Sequence, residues 1–167
     1  MTHQARNPLA TRRAGASALM LLLAAACGGG SGGQEEQAEP NPEALRQARA
    51  DSVEAAVAEF DPSAFDTVSW GTPDERLERG AVVWNFSCSK CHGDRGRGDG
   101  ELARVEELTM PMITAADWEY AGDVPAIRHR IFVGHETEMP SWGLYGLKYR
   151  DIDAVAHHIE EVLRAEP

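Results

Sequence analysis

Cysteine is scarce in this chain: three in 167 residues, at Cys27, Cys88 and Cys91. No second close pair exists, so the usual structural zinc site built from two separated cysteine pairs has no sequence basis. Positive charge is short as well. Lys and Arg number 16 against 27 Asp and Glu, for a formal net charge of -11. All of the acids lie beyond residue 26, while Arg6, Arg12 and Arg13 lie before it. A nucleic-acid binder needs a positive stripe, and this chain offers none. The negative balance suits a solvated protein or one that meets a basic partner surface. Long apolar runs are missing too. The longest such stretch, Ala14 to Ala26, carries no charge and is thirteen residues long, short of the roughly 20 that a membrane-spanning helix needs. No strand-like alternation of useful length and no internal repeat is found, and the length suggests one domain.

The charge-free run fits the apolar region of a secretory signal, with Arg12 and Arg13 as its positive start. It ends L-A-A-A-C-G at Cys27. This resembles a bacterial lipobox, with Ala24 where leucine is preferred and Leu23 one place earlier. The resemblance implies cleavage before Cys27 and a lipid on its sulfur. Several acyl chains would hold the protein on the periplasmic side of a bacterial membrane. The paired arginines lack the rest of a twin-arginine motif, so general secretion is expected. An ordinary cleaved signal with a spare cysteine is the simpler alternative.

The organisation follows. Residues 1–26 read as the signal peptide, and 27–41 as a flexible linker rich in glycine and acids. Residues 42–71 read as a helix from Pro42 to Phe60 and a connection. That helix has a weak apolar stripe, suited to the outside of a domain or to a partner. The domain proper is expected over 72–167. Thr72-Pro73-Asp74-Glu75 is a helix start. A short helix is expected over Val124 to Val133, stopped by Gly134. The clearest helix is the last, from Arg150 to Leu163. Its apolar residues Ile152, Val155, Ala156, Ile159, Val162 and Leu163 share one face.

Residues 87–93 read S-C-S-K-C-H-G. A thioredoxin-like redox pair normally stands in an alternating strand-helix context, which is missing. For zinc, His92 directly after Cys91 is an awkward spacing. A disulfide suits an exported protein but leaves His92 unexplained. Covalent attachment of a c-type haem uses all three residues. Cys88 and Cys91 form thioethers to the vinyl groups, and His92 ligates iron from one face.

With these motifs in order, residues 72 to 164 resemble the bacterial class I monohaem cytochromes c. A helix leads into C-x-x-C-H-G and G-R-G-D-G follows. Next come a helix ending I-F-V-G, then M-P-S-W-G, then a closing helix D-I-D-A-V-A-H-H-I. The resemblance implies a small all-α domain around one covalent haem c, with His92 and Met139 as axial ligands. A thioether is soft and neutral, and Met/His ligation raises the potential into a carrier's range. Pro140 would stiffen the ligand loop. Met110 and Met112, flanking Pro111, and His135 are the rival ligands. Arg95 and Arg97 are candidate partners for the haem propionates, with solvated loop charge as the alternative. Trp118, Trp142 and Tyr145 are candidate propionate donors or core residues. His129, His157 and His158 read as helix-surface residues. Gly80, Trp84, Ile152 and Ile159 should mark the crossing of the first and last helices of the domain.

The implied function is one-electron transfer in a respiratory or photosynthetic chain. No substrate meets the iron, and redox proteins are the partners. The alternatives are a permanent haem subunit of a larger membrane oxidoreductase, or a small-ligand binder if Met139 does not ligate.

Overall fold

Asn41 caps the first helix of the computed structural model, which describes residues 41–165. Its side-chain oxygen accepts from the Glu43 N–H at 3.0 Å, with Pro42 at the first helical position. Helix α1 spans Pro42–Glu59, and a 3-10 turn spans Pro62–Thr67. The Thr72 hydroxyl then accepts from the Glu75 N–H at 3.1 Å and starts α2, Pro73–Val83. Acids in that first turn suit its positive dipole end. A wider π turn, Trp84–Cys88, joins α2 to the short α3, Ser89–His92. Helices α4 (Glu101–Val105), α5 (Val124–Val133) and α6 (Tyr149–His158) follow, and a second π turn, Ile159–Leu163, prolongs α6. The fold is all-α, with no strand among the described residues. Gly134 ends α5 at φ +79°, where a side chain would be strained.

The core forms where α2 crosses α6. Gly80 is the small residue that this crossing requires. A Cβ there would collide with the Ala154 carbonyl and lie 2.6 Å from the His158 Cβ. Trp84, Ile152, Val155 and Ile159 are buried in the same cluster. Each such side chain contributes about 1.5–3 kcal/mol by leaving water. The crossing residues expected from sequence are therefore all in the core. His158 is not the surface residue expected. It is buried beside Gly80, and burial lowers its pKa because the charged ring would lose its hydration. His157 is half-buried, with Nδ1 2.6 Å from the Glu161 carboxylate. His129 is exposed, as expected, with its ring edge-on to Phe60 at 4.8 Å.

Asp153 is a buried carboxylate on α6. It accepts from the Trp70 indole N–H at 2.6 Å and pairs with Arg128 of α5. A buried charge persists only when satisfied in this way. These bonds fasten the connection before α2 to the core. The segment 42–71 also packs on the domain. Ala56 is fully buried, Phe60 meets Phe132 at 5.3 Å, and Phe65 meets Tyr149 at 4.9 Å. The weak stripe of α1 thus covers α5. No described helix is long and apolar enough to cross a membrane. Cys27, the expected signal peptide and the linker up to residue 40 lie outside the described residues.

Candidate functional site

The C-x-x-C-H stretch follows a deliberate break in helix geometry. In the π turn the Ser89 N–H bonds to the carbonyl of Trp84, five residues back. The wide turn keeps Trp84 and Cys88 buried and leaves the intervening Phe86 77% exposed. Single-turn π segments often stand at functional sites. Helix α3 then presents Cys91 and His92 and stops at Gly93. With φ +78° there, a side chain would be strained. The glycine-rich loop folds back onto the motif. Gly98 N–H bonds to the His92 carbonyl at 2.8 Å, and Gly100 N–H to that of Cys91 at 3.3 Å. The Trp84 indole N–H reaches the Asp94 carbonyl at 3.1 Å. The motif is held from both sides by backbone.

Cys88 and Cys91 are free thiols. Burial pushes the Cys88 thiol up to about 12. Cys91 is also raised, first by burial and then by the Glu138 carboxylate. A redox dithiol works through a lowered thiolate pKa. Both shifts run the other way, which weighs against that reading. His92 lies against Trp84, ring centroids 6.0 Å apart. Its Nδ1 is buried without a hydrogen-bond partner. Burial lowers its pKa and favours the neutral ring, the form that ligates metals.

His92 opens onto a crevice of about 260 Å³, and Met139 lines the same crevice. Ile113, Ile127, Ile131 and Ile159 supply an apolar wall. Met139 stands on the loop after α5. Its carbonyl accepts from the His135 N–H at 2.9 Å, and a Cβ at Gly134 would press on its backbone. Two rivals, Met110 and His135, also line the crevice. His135 is exposed, with Nδ1 2.8 Å from the Thr137 hydroxyl. Met112 is 50% exposed and outside the crevice lining. Trp118 lines it, whereas Trp142 does not and Tyr145 is 71% exposed.

Arg95 and Arg97 stand in a different, polar hollow with Lys90, Asp94, Asp99 and Glu101. The basic residue in the crevice is Arg130. It donates from Nε to the Tyr120 hydroxyl at 3.0 Å and from Nη1 to the Gly134 carbonyl at 2.9 Å. The sequence reading missed Arg130 and Tyr120. Arg130 stands three residues after Ile127, so helical spacing places both on one face of α5.

The donor set fits a covalently attached haem. Two thiols stand at the join of the π turn and α3, a neutral imidazole with an orphaned nitrogen follows, and a thioether shares an apolar crevice with it. Among the described residues no group of three or more His, Cys, Asp or Glu side chains is arranged to hold a bare metal ion.

Comparison with known proteins places these features in a family. Residues 75–159 match the family model described as cytochrome c oxidase, cbb3-type, subunit III. The chain is similar to the cbb3-type cytochrome c oxidase subunit FixP of Azorhizobium caulinodans. Identity is 31% over 87 residues, covering 52% of this chain and 27% of the relative. It is likewise similar to the cbb3-type cytochrome c oxidase subunits CcoP of Azospirillum brasilense and Rhodobacter capsulatus. The first is 32% identical over 39% of this chain and 21% of the relative. The second is 29% identical over 60% of this chain and 29% of the relative. The chain thus spans about a quarter of the length of these relatives. No solved structure matches it.

Proposed function

The chain belongs to the cbb3-type cytochrome c oxidase subunit III family, and from that premise we propose that it is a one-electron carrier holding a single haem c. Cys88 and Cys91 would bind the haem covalently, and His92 and Met139 would be its axial ligands. One observation carries this reading: the histidine of C-x-x-C-H and the Met139 thioether line one apolar crevice. The bound haem supplies a one-electron Fe(II)/Fe(III) couple, whose potential Met/His ligation raises.

The chain's own residues do the rest. The isoleucine wall excludes water and lowers the local dielectric, which disfavours the more charged oxidised state. Arg130, already in the crevice, is better placed than Arg95 or Arg97 to meet the haem carboxylates. With His92 and Met139 both holding the iron, no substrate would bind there. A lipid on Cys27 and the linker 27–41 would keep the domain 72–167 at the periplasmic face of a membrane, within reach of redox partners. Residues 1–26 would be removed.

A second reading has its own support. The relatives are named as oxidase subunits, so the chain would serve as a fixed haem subunit of a membrane oxidoreductase. Both readings require a closed iron site. Carbon monoxide titrated into the reduced holoprotein should leave its spectrum unchanged while the potentiometric curve follows a single electron. Immediate stoichiometric binding of carbon monoxide would replace both readings with a small-ligand binder.

A further inference from the structure

Helix α1 precedes the family match, which begins at residue 75. Its C-terminal half is fixed to α5 by apolar packing. Ala56 is fully buried, and the Phe60 ring meets Phe132 at 5.3 Å. Its middle does something different. Arg49 donates to the Thr137 carbonyl, and its guanidinium lies 3.1 Å from the Glu138 carboxylate. One turn further on, the Ser52 hydroxyl bonds to the Ser141 hydroxyl at 3.0 Å. Ser141 is 2% exposed. These ties fall on both sides of Met139. A hollow of about 300 Å³ lies between α1 and this loop, with Met139 and Pro140 on its wall. The loop is held within itself by the His135 N–H bond to the Met139 carbonyl, and across the hollow it is tied to α1 by the polar contacts at either end.

We propose that α1 braces the Met139 loop, with Arg49 as a positioning residue that holds the thioether in the crevice. The proposal rests on Met139 being the axial ligand. The helix is anchored where it is apolar and reaches the loop where it is polar. Arg49 suits the task because its Nη1 carries two hydrogens, one for the carbonyl and one for the carboxylate, at the end of a long side chain that stays charged. The pair is partly exposed, so the effect is modest rather than absolute. Loosening the loop lets the thioether leave more often. An added ligand that must displace it then binds more tightly, because displacement requires the open loop.

The test is imidazole binding to the ferric, full-length holoprotein, followed at the near-infrared sulfur-to-iron band, together with the midpoint potential. Arg49→Ala should bind imidazole roughly three- to tenfold more tightly than wild type, the scale of one ordinary hydrogen bond or an exposed ion pair. Its potential should fall in the same direction. Arg49→Lys should lie between the two. Glu138→Gln, which keeps the Arg49 bond to the Thr137 carbonyl, should change affinity by less than Arg49→Ala does. If Arg49→Ala fails to accumulate as holoprotein, Arg49→Lys and Ser52→Ala report the same quantity, and each should tighten imidazole binding. A wild type with the band, and variants whose affinity and potential match it, would overturn the brace alone. A wild type without the band would overturn the axial reading and the brace with it.

Discussion

Replacing both Cys88 and Cys91 with alanine should abolish covalent haem. The polypeptide should run on a denaturing gel without haem stain and should lack the haem mass. Each single variant should keep one thioether and a reduced but measurable stain. The expectation follows from geometry as well as motif. The two thiols lie three residues apart at the join of a π turn and α3, so both approach one group from the same stretch of backbone. Both are held as neutral thiols, by burial in each case. Without the haem, the crevice walled by Ile113, Ile127, Ile131 and Ile159 gains no filling. The stabilisation that a bound group confers on the native state is lost as well. The double variant should therefore also melt earlier. Full retention of a denaturation-resistant pigment in the double variant would show that these thiols do not carry it.

Gly80→Ala should destabilise the fold, opposite in sign to the usual effect. In an open helix interior, alanine is favoured over glycine by about 0.5–1 kcal/mol. At Gly80 the new methyl would meet the Ala154 carbonyl and the His158 Cβ, and the first obstacle is backbone that cannot rotate aside. Separating α2 from α6 costs on the order of 1–3 kcal/mol or more, the range for overpacking a filled core. Net destabilisation should lower the melting temperature of the holoprotein by roughly 5–15 °C at 4–8 °C per kcal/mol. Because α2 runs into the C-x-x-C-H stretch, haem incorporation should fall with it. An unchanged or raised melting temperature would mean that the helices do not cross at Gly80.

Much of this was legible locally. The Asn41 and Thr72 caps, the glycine at the crossing, the stop at Gly134 and the ligand motif each depend on nearby residues and backbone sterics. The apolar face of α6 was legible because its residues recur at helical spacing. What escaped was non-local or broke the period. The π turns at Trp84–Cys88 and Ile159–Leu163 insert a residue that a 3.6-residue reading does not anticipate. Phe86, in the first of them, consequently faces out. From the sequence alone His158 reads as a surface residue, because nothing local marks it for burial. Its burial depends on Gly80 of another helix leaving room for it. Arg95 and Arg97 drew attention by nearness to the motif, but chain proximity did not place them in the crevice, whereas Arg130 arrives there on α5. The bond between Ser52 and Ser141 joins residues 89 apart in sequence, beyond any local pattern.

The most direct measurement is the pair of optical spectra, oxidised and reduced, of wild type and Met139→Ala. Wild type should show the near-infrared sulfur-to-ferric-iron band, and the variant should lose it. The variant's midpoint potential should fall by on the order of 0.1 V, within the ~0.8 V span that axial ligands control. A variant whose spectra and potential match wild type would contradict Met139 as the ligand, and the electron-carrier reading would lose the residue that closes its iron site.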